Sequence, residues 1–201
     1  FLPIMNDKVF SFPLALSRSG QSLYCSLHFI TRPSCLSQKL RDSGAPLALI
    51  DAKRIVGMSH LCCSANLACH RPKENESIAW DVVYLSSASN RFIHALRDYS
   101  FLDLEGNLKP QQESNLMADD DEQKEVPVII LMVSSSAISN YTEFLLKYGL
   151  TDSIADVEEF LKSQRDSSAD EFKRWYKITD QELECFSLED CVMTKVFTKM
   201  A

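Results

Sequence analysis

The chain has few glycines and no long apolar run, and both shortages exclude classes of protein. Its five glycines are spread over 201 residues with none grouped, so no glycine-rich loop is available to hold a phosphate. No apolar stretch reaches the roughly 20 residues that a bilayer-spanning helix needs, so no membrane partner is expected. Asp7 and Lys8 interrupt the apolar start of the chain, where a secretory leader would be uniformly hydrophobic.

Cysteine is present, but not in a pattern that indicates disulfides or a metal site. The seven cysteines are an odd number, which favours reduced thiols in the core of an intracellular protein. The group of residues that most resembles a set of metal ligands is His60, Cys62, Cys63, Cys69 and His70. On one helix, ligands seven residues apart are separated by about 10 Å along the axis, too far to share a tetrahedral zinc ion.

Charge is unevenly distributed along this chain, whose formal net charge is −7. Residues 1–102 hold eleven basic and seven acidic side chains, whereas residues 103–125 hold two and eight. The overall acidity argues against nonspecific binding along nucleic acid. An acidic chain can nevertheless have a local basic face, formed by the first half of its sequence. Residues 103–125 are also poor in large apolar side chains, so we expect a disordered acidic insertion there.

The apolar patterns predict alternating strands and helices, followed by a run of helices. Apolar runs at 9–16 and 22–29, joined by a turn with serine and glycine, predict a hairpin. Further strands are predicted at 47–51, 78–86 and 126–133, and the nearly continuous apolar character of 78–86 is typical of an inner strand. Helices are predicted at about 33–42, 58–69, 92–99, 138–148, 153–162, 169–176 and 187–200.

These elements predict a single mixed α/β domain over residues 1–201. Its sheet is expected to be small and largely antiparallel, with four to five strands, helices packed around it and a helical C-terminal part. The helix that begins at Met58 should cover the sheet, because small apolar residues recur along one of its faces.

Residue types suited to nucleophilic catalysis occur, but their setting is unfavourable. His60 lies three residues before Cys63 and four before Ser64 in one predicted helix. A helix interior lacks the exposed turn and the oxyanion donors that acyl transfer requires. His28 is expected to point away from the core side of its strand, and His94 to lie at the surface. A small hydrolase or transferase using the Cys/Ser–His pair is nevertheless kept as an alternative, as is an interaction domain with an unrelated partner.

The last predicted helix is unusual because more than half of its circumference is apolar. One apolar stripe contains Leu188, Val192, Val196 and Met200, and a second is formed by Met193, Phe197 and again Met200. Such a helix either lies deep in the core or offers one face to a partner. Lys195 and Lys199 leave a polar edge, which is compatible with the second role.

Four motifs that follow one another resemble a known family. They are Ile50-Asp51-Ala52 with Val56-Gly57 and His60-Leu61, Asp81–Ser86 with Phe92-x-x-Ala95-Leu96-x-x-Tyr99, Trp175–Thr179, and Leu188-x-Asp190-Cys191-Val192-x-x-Lys195. In this order they resemble the KEOPS-subunit family that includes the PRPK-binding (TPRKB-like) proteins. The likeness covers most of residues 20–102 and 126–198, whereas the acidic insertion is additional and Ser100 stands where members usually have glycine.

The resemblance implies a non-catalytic subunit of the nuclear and cytoplasmic complex that makes threonylcarbamoyladenosine in tRNA. Members bind and activate a kinase-like ATPase subunit, chiefly through the C-terminal helix, and reach the other subunits indirectly. Some also bind the single-stranded CCA end of tRNA. The partner contacts that carry over to this chain are Leu188, Val192 and Lys195, with neighbouring Val196. The candidate RNA contacts are four basic residues of the first half of the chain, Lys53, Arg54, Arg71 and Lys73. No catalytic residue, metal or cofactor is implied.

Overall fold

The fold is a four-stranded antiparallel sheet with helices on both faces. The computed structural model describes residues 9–15, 17, 20–70, 77–101, 125–135, 138–150 and 156–199. Within them the strands lie in the order β1-β2-β4-β3, with bounds β1 Phe10–Pro13, β2 Ser22–Ile30, β3 Leu47–Asp51 and β4 Val126–Ser134. The predicted mixed α/β fold with an antiparallel sheet is confirmed.

Nine α-helices lie within the same described residues. In chain order they are α1 Pro33–Asp42, α2 Met58–Ala68, α3 Ile78–Ser86, α4 Phe92–Tyr99, α5 Ile138–Lys147, α6 Val157–Ser167, α7 Ala169–Tyr176, α8 Asp180–Cys185 and α9 Leu188–Thr198. A short 3-10 turn, Ala52–Arg54, separates β3 from α2. The last four helices form the predicted helical C-terminal part.

The sheet is buried on both faces, which explains why its strands contain so few exposed positions. One face, with Leu27 and Ile129, packs into a core built with α2, α3 and α4. The other face, with Leu49 and Ile130, packs under α1 and α5. The long apolar strand β4 is a central strand, and Pro127 lies at its start, opposite Phe29, where a missing N–H is tolerated.

His28 lies on the face of β2 that was predicted, but that face is not open to solvent. The side chain is buried, and its Nε2 lies 2.7 Å from the hydroxyl of Ser26. Ser26 Oγ is in turn 2.6 Å from the hydroxyl of Tyr141, which donates to the carbonyl of Ile130 at 2.9 Å. The alternation in β2 therefore separates two cores rather than a core from solvent.

The segment Ile78–Ser86 is a helix, so the strand predicted there is wrong. All residues from Ala79 to Ser86 are buried, and the helix lies between the sheet, α2 and α4. A helix that is apolar all round and a strand that is covered on both faces have the same short apolar sequence pattern. The burial of this segment was predictable, but its backbone conformation was not.

The remaining predicted helices occur near their predicted positions. α5 is followed by Gly149, whose φ of +72° is the left-handed conformation expected after a helix. α6 begins later than predicted, at Val157, with Asp156 as its N-cap. The acidic insertion predicted at 103–125 lies, apart from Glu125, outside the described residues.

Candidate interaction surface

The C-terminal helix α9 begins at a well-defined cap. The Ser187 hydroxyl accepts the backbone N–H of Asp190 at 3.1 Å. Glu189 and Asp190 lie in the first turn, where negative charge is favourable beside the partial positive end of the helix. The helix ends at Thr198, and Lys199 follows as its C-cap residue. This local sequence fixes where the helix begins and ends.

The inner face of α9 packs against the rest of the chain. Val192 and Val196 are both fully buried, and Cys191 is nearly so. The helix contacts α2 and α7, and Leu188 is half-buried at the edge of the same cluster. Of the predicted partner-contact residues, Val192 and Val196 therefore have no surface available to a partner in this conformation.

Lys195 belongs to an intramolecular ion pair. Its Nζ donates to Glu182 Oε1 at 2.7 Å, which ties α9 to α8. This hydrogen bond, together with those from Thr179, lowers the pKa of Glu182 to about 2. About a third of each side chain is exposed, so a partner carboxylate could compete for Lys195 only by displacing Glu182.

The outer face of α9 carries exposed aromatic surface. Phe197 is 54% exposed, and Met193, one turn earlier on the same face, is half-buried. Phe186, just before the helix, is 62% exposed. Exposed aromatic side chains are frequent energetic centres of protein interfaces. The sequence pattern had placed Met193 and Phe197 on the second apolar stripe, and this stripe is the one that faces solvent.

The predicted RNA contacts Lys53 and Arg54 lie in the 3-10 turn that follows β3. The Arg54 guanidinium stacks on Trp175 of α7, 3.9 Å from the ring centroid, and lies 5.9 Å from the Tyr99 ring. Lys53 is exposed beside it. Arg71 and Lys73 lie outside the described residues. The structure thus brings one predicted basic residue onto an aromatic ring that sequence reasoning had not linked to it.

His60, the proposed base of the enzyme alternative, is in the core. It is fully buried, and its Nδ1 accepts the backbone N–H of Val56 at 3.5 Å. Burial, with a further contribution from the charge of Lys199, lowers the pKa of His60 to about 3. Burial also raises the pKa of Cys63 to about 11, and Ser64 is fully buried. Neither the His60–Cys63 pair nor the His60–Ser64 pair therefore presents an activated nucleophile to solvent at neutral pH.

Neither a protein-family model nor a curated protein sequence matches this chain. Among the helices of the described ranges, none combines the length and apolarity needed to cross a bilayer. The described residues also contain no group of three or more His, Cys, Asp or Glu side chains placed to hold a metal ion.

Three side chains that organise this region were not singled out as site residues from the sequence. Trp175 stacks on Arg54, and Tyr176 donates its hydroxyl to the carbonyl of Ser86 at 2.5 Å. Lys199 donates to the carbonyl of Tyr84 at 2.9 Å. Trp175 and Tyr176 could have been found from the sequence because both lie in the third of the motifs that resemble the family. The sequence did not show which residues they contact.

Proposed function

We propose that this chain is a non-catalytic subunit of a KEOPS-type complex that binds the kinase-like ATPase subunit through α9 and contributes to tRNA recruitment. The proposal rests on the ordered motifs described above. Its further support is that these motifs, although distant in sequence, lie in mutual contact. Such convergence is expected when the motifs belong to one structural unit rather than to unrelated matches.

Contacts between the four motifs link all of them. α9 packs on α2, while Tyr176 contacts the end of α3 through its hydrogen bond to Ser86. The His60 ring of the first motif lies edge-on to the Tyr176 ring of the third, with the ring centroids 5.8 Å apart. The buried stripe of α9 thus holds the helix on the protein, and its outer face, with Met193 and Phe197, is the surface we assign to the partner.

The deciding experiment is co-purification with the kinase-like ATPase subunit. Phe197→Glu places a charge in the proposed interface, and we expect at least a tenfold weaker interaction, because buried interface aromatics commonly contribute about 2 kcal/mol or more. Ile93→Glu is the matched control, since Ile93 is similarly exposed (51%) but lies on α4. Equal recovery of both variants with the partner would refute the assignment of α9.

A substitution of Val192 would not answer the same question. Because Val192 is fully buried in the chain itself, a glutamate there would disrupt the fold before it affected any partner. Loss of binding by Val192→Glu would therefore carry no information about the interface. The exposed position, Phe197, separates the two effects.

The RNA part of the proposal rests on Lys53 and on the stacked pair Arg54 and Trp175. Cationic and aromatic groups side by side suit the phosphates and bases of a single-stranded end. We expect tRNA binding to weaken when the 3′ CCA is removed, when salt is added, and in Lys53→Glu. Lys162→Glu, an exposed lysine on α6, is the control. Binding that is indifferent to the CCA end would remove this part of the proposal.

Two competing functions predict different results. An enzyme that uses His60 with Cys63 or Ser64 would show one cysteine of unusually high reactivity in a thiol-labelling profile. An interaction domain with an unrelated partner would fail to bind the kinase-like ATPase. The burial of His60 and Ser64 and the raised pKa of Cys63 make the first outcome unexpected.

A further inference from the structure

The C-terminal end of α3 is capped by side chains from the other end of the chain. The last carbonyls of any α-helix lack partners within the helix. Here the Lys199 Nζ donates to the carbonyl of Tyr84 at 2.9 Å and also to the carbonyl of Ser87. The Tyr176 hydroxyl donates to the carbonyl of Ser86 at 2.5 Å. Three carbonyls at the end of α3 thus accept from residues of the helical C-terminal part, and the carbonyl of Tyr84 also accepts the backbone N–H of Ser87 at 3.1 Å and its hydroxyl at 2.8 Å.

Lys199 is well suited to this position for two further reasons. Its Nζ lies 4.9 Å from the centroid of the Tyr84 ring, a cation–π contact. A positive charge at the C-terminal end of a helix is also favourable, because the carbonyl dipoles point towards it. Its side chain reaches back from the end of α9, so the hydrogen bonds form only while that end lies against α3.

The α3–α4 loop, residues 87–91, is held by the same group of bonds. Ser87 Oγ lies 3.2 Å from Lys199 Nζ and accepts the backbone N–H of Ser89, also at 3.2 Å. The backbone N–H of Ala88 donates to the Tyr99 hydroxyl at 3.3 Å, and that hydroxyl donates to Tyr176 at 3.1 Å. Ser87 is therefore the point at which the loop and the end of α9 meet.

We propose that Lys199 is a latch that holds the α3–α4 loop closed against the end of α9. When the three Lys199 hydrogen bonds are lost, the loop keeps its short-range bonds, such as that from Ser87 Oγ to the carbonyl of Tyr84 at 2.8 Å. It loses its tie to the end of α9, however, and therefore opens locally more often while the sheet stays folded. The latch would also let a partner control the loop, and this consequence rests on the proposed function. A partner that binds the outer face of α9 stabilises the end of that helix and so keeps the loop closed.

Amide hydrogen exchange on the free protein tests the latch. Lys199→Met keeps the aliphatic stem and removes all donors, so the amides of Ser87, Ala88 and Ser89 should exchange at least about tenfold faster. Exchange in β4 should stay within about twofold of wild type. Lys195→Met, a lysine one turn earlier on the same helix, is the control and should leave the loop amides unchanged.

Two results would overturn the latch. One is unchanged loop exchange in Lys199→Met, and the other is an equal acceleration in β4, which would indicate only global destabilisation. Lys199→Gln, which is neutral and shorter but still polar, provides a second test if the methionine variant does not fold. It should accelerate loop exchange at least about threefold, and no acceleration would also overturn the proposal.

The complex with the kinase-like ATPase distinguishes failure of the latch from failure of the proposed function. If the complex forms, loop exchange in the wild-type protein should slow, and unchanged exchange would overturn the regulatory consequence. If no complex forms, the proposed function fails, while the exchange measurements on the free protein still decide whether the latch exists.

Discussion

The carboxylate of Glu189 in α9 occupies the space beside Gly57 at the start of α2. A Cβ on Gly57 would lie 2.3 Å from Glu189 Oε1. The other oxygen, Oε2, accepts from Arg165 Nη1 of α6 at 3.1 Å. The φ of Gly57 is 174°, an extended conformation that any residue adopts. A side chain at position 57 would therefore displace the flexible end of Glu189 without straining the backbone.

Gly57→Ala should destabilise the protein by about 1 kcal/mol, because the added methyl pushes the flexible end of Glu189 away from Arg165, with which it is paired. Urea unfolding measures the effect. Ser59→Ala, at an exposed position in the same turn of α2, should change stability by no more than about 0.5 kcal/mol. In the Glu189→Ala background the cost of Gly57→Ala should largely disappear, and additive costs would contradict the packing contact.

The two faces of α9 should respond differently to truncation. Val192→Ala removes fully buried methyl groups and should cost about 2 kcal/mol of unfolding free energy. Phe197→Ala, on the exposed face, should cost less than about 0.5 kcal/mol. Thermal or denaturant unfolding of both variants makes the comparison. A large loss of stability in the Phe197 variant would show that the outer face packs within the chain.

Tyr176→Phe should cost about 1–3 kcal/mol, because it leaves the buried carbonyl of Ser86 and the hydroxyl of Tyr99 without the Tyr176 partner. The matched control is Tyr148→Phe, whose hydroxyl bonds Ser43 at the surface at 2.9 Å. Loss of this surface hydrogen bond should change the free energy of unfolding by no more than about 0.5 kcal/mol. Equal effects of the two substitutions would contradict the importance of the buried bond.

His60 should make the protein less stable in mild acid. Its pKa falls to about 3 in the folded chain, below the roughly 6.5 of an exposed histidine, so protonation favours the unfolded chain. The stabilisation is complete above about pH 6.5 and is lost as the pH falls towards about 3. Between about pH 7 and 5 this residue alone should account for about 2 kcal/mol.

The test compares the pH dependence of unfolding in wild type and His60→Asn. The asparagine amide oxygen can accept the Val56 N–H but does not titrate, so only the pH-dependent part of the stability should disappear. The measured quantity is the difference in unfolding free energy between about pH 7 and 5, which is independent of a constant cost from repacking. The same difference in both proteins would show that His60 is protonated or exposed.

The strands and amphipathic helices could be predicted because their patterns are local. Alternation in β2, the stripe of α2 and the glycine after α5 each identify an element from a few neighbouring residues. Ile78–Ser86 could not be assigned in this way. Its apolar run fits a covered strand and a buried helix equally well, and only the space between the sheet, α2 and α4 distinguishes them.

The candidate surface was predictable in part for the same reason. The sequence by itself determined that the last helix has two apolar stripes and a basic edge, because helical periodicity depends only on spacing. Tertiary structure alone decided that Val192 faces the core and Phe197 faces solvent, and that Lys199 reaches α3. These choices depend on contacts between residues more than a hundred positions apart, such as Lys199 with Tyr84, which no local pattern contains.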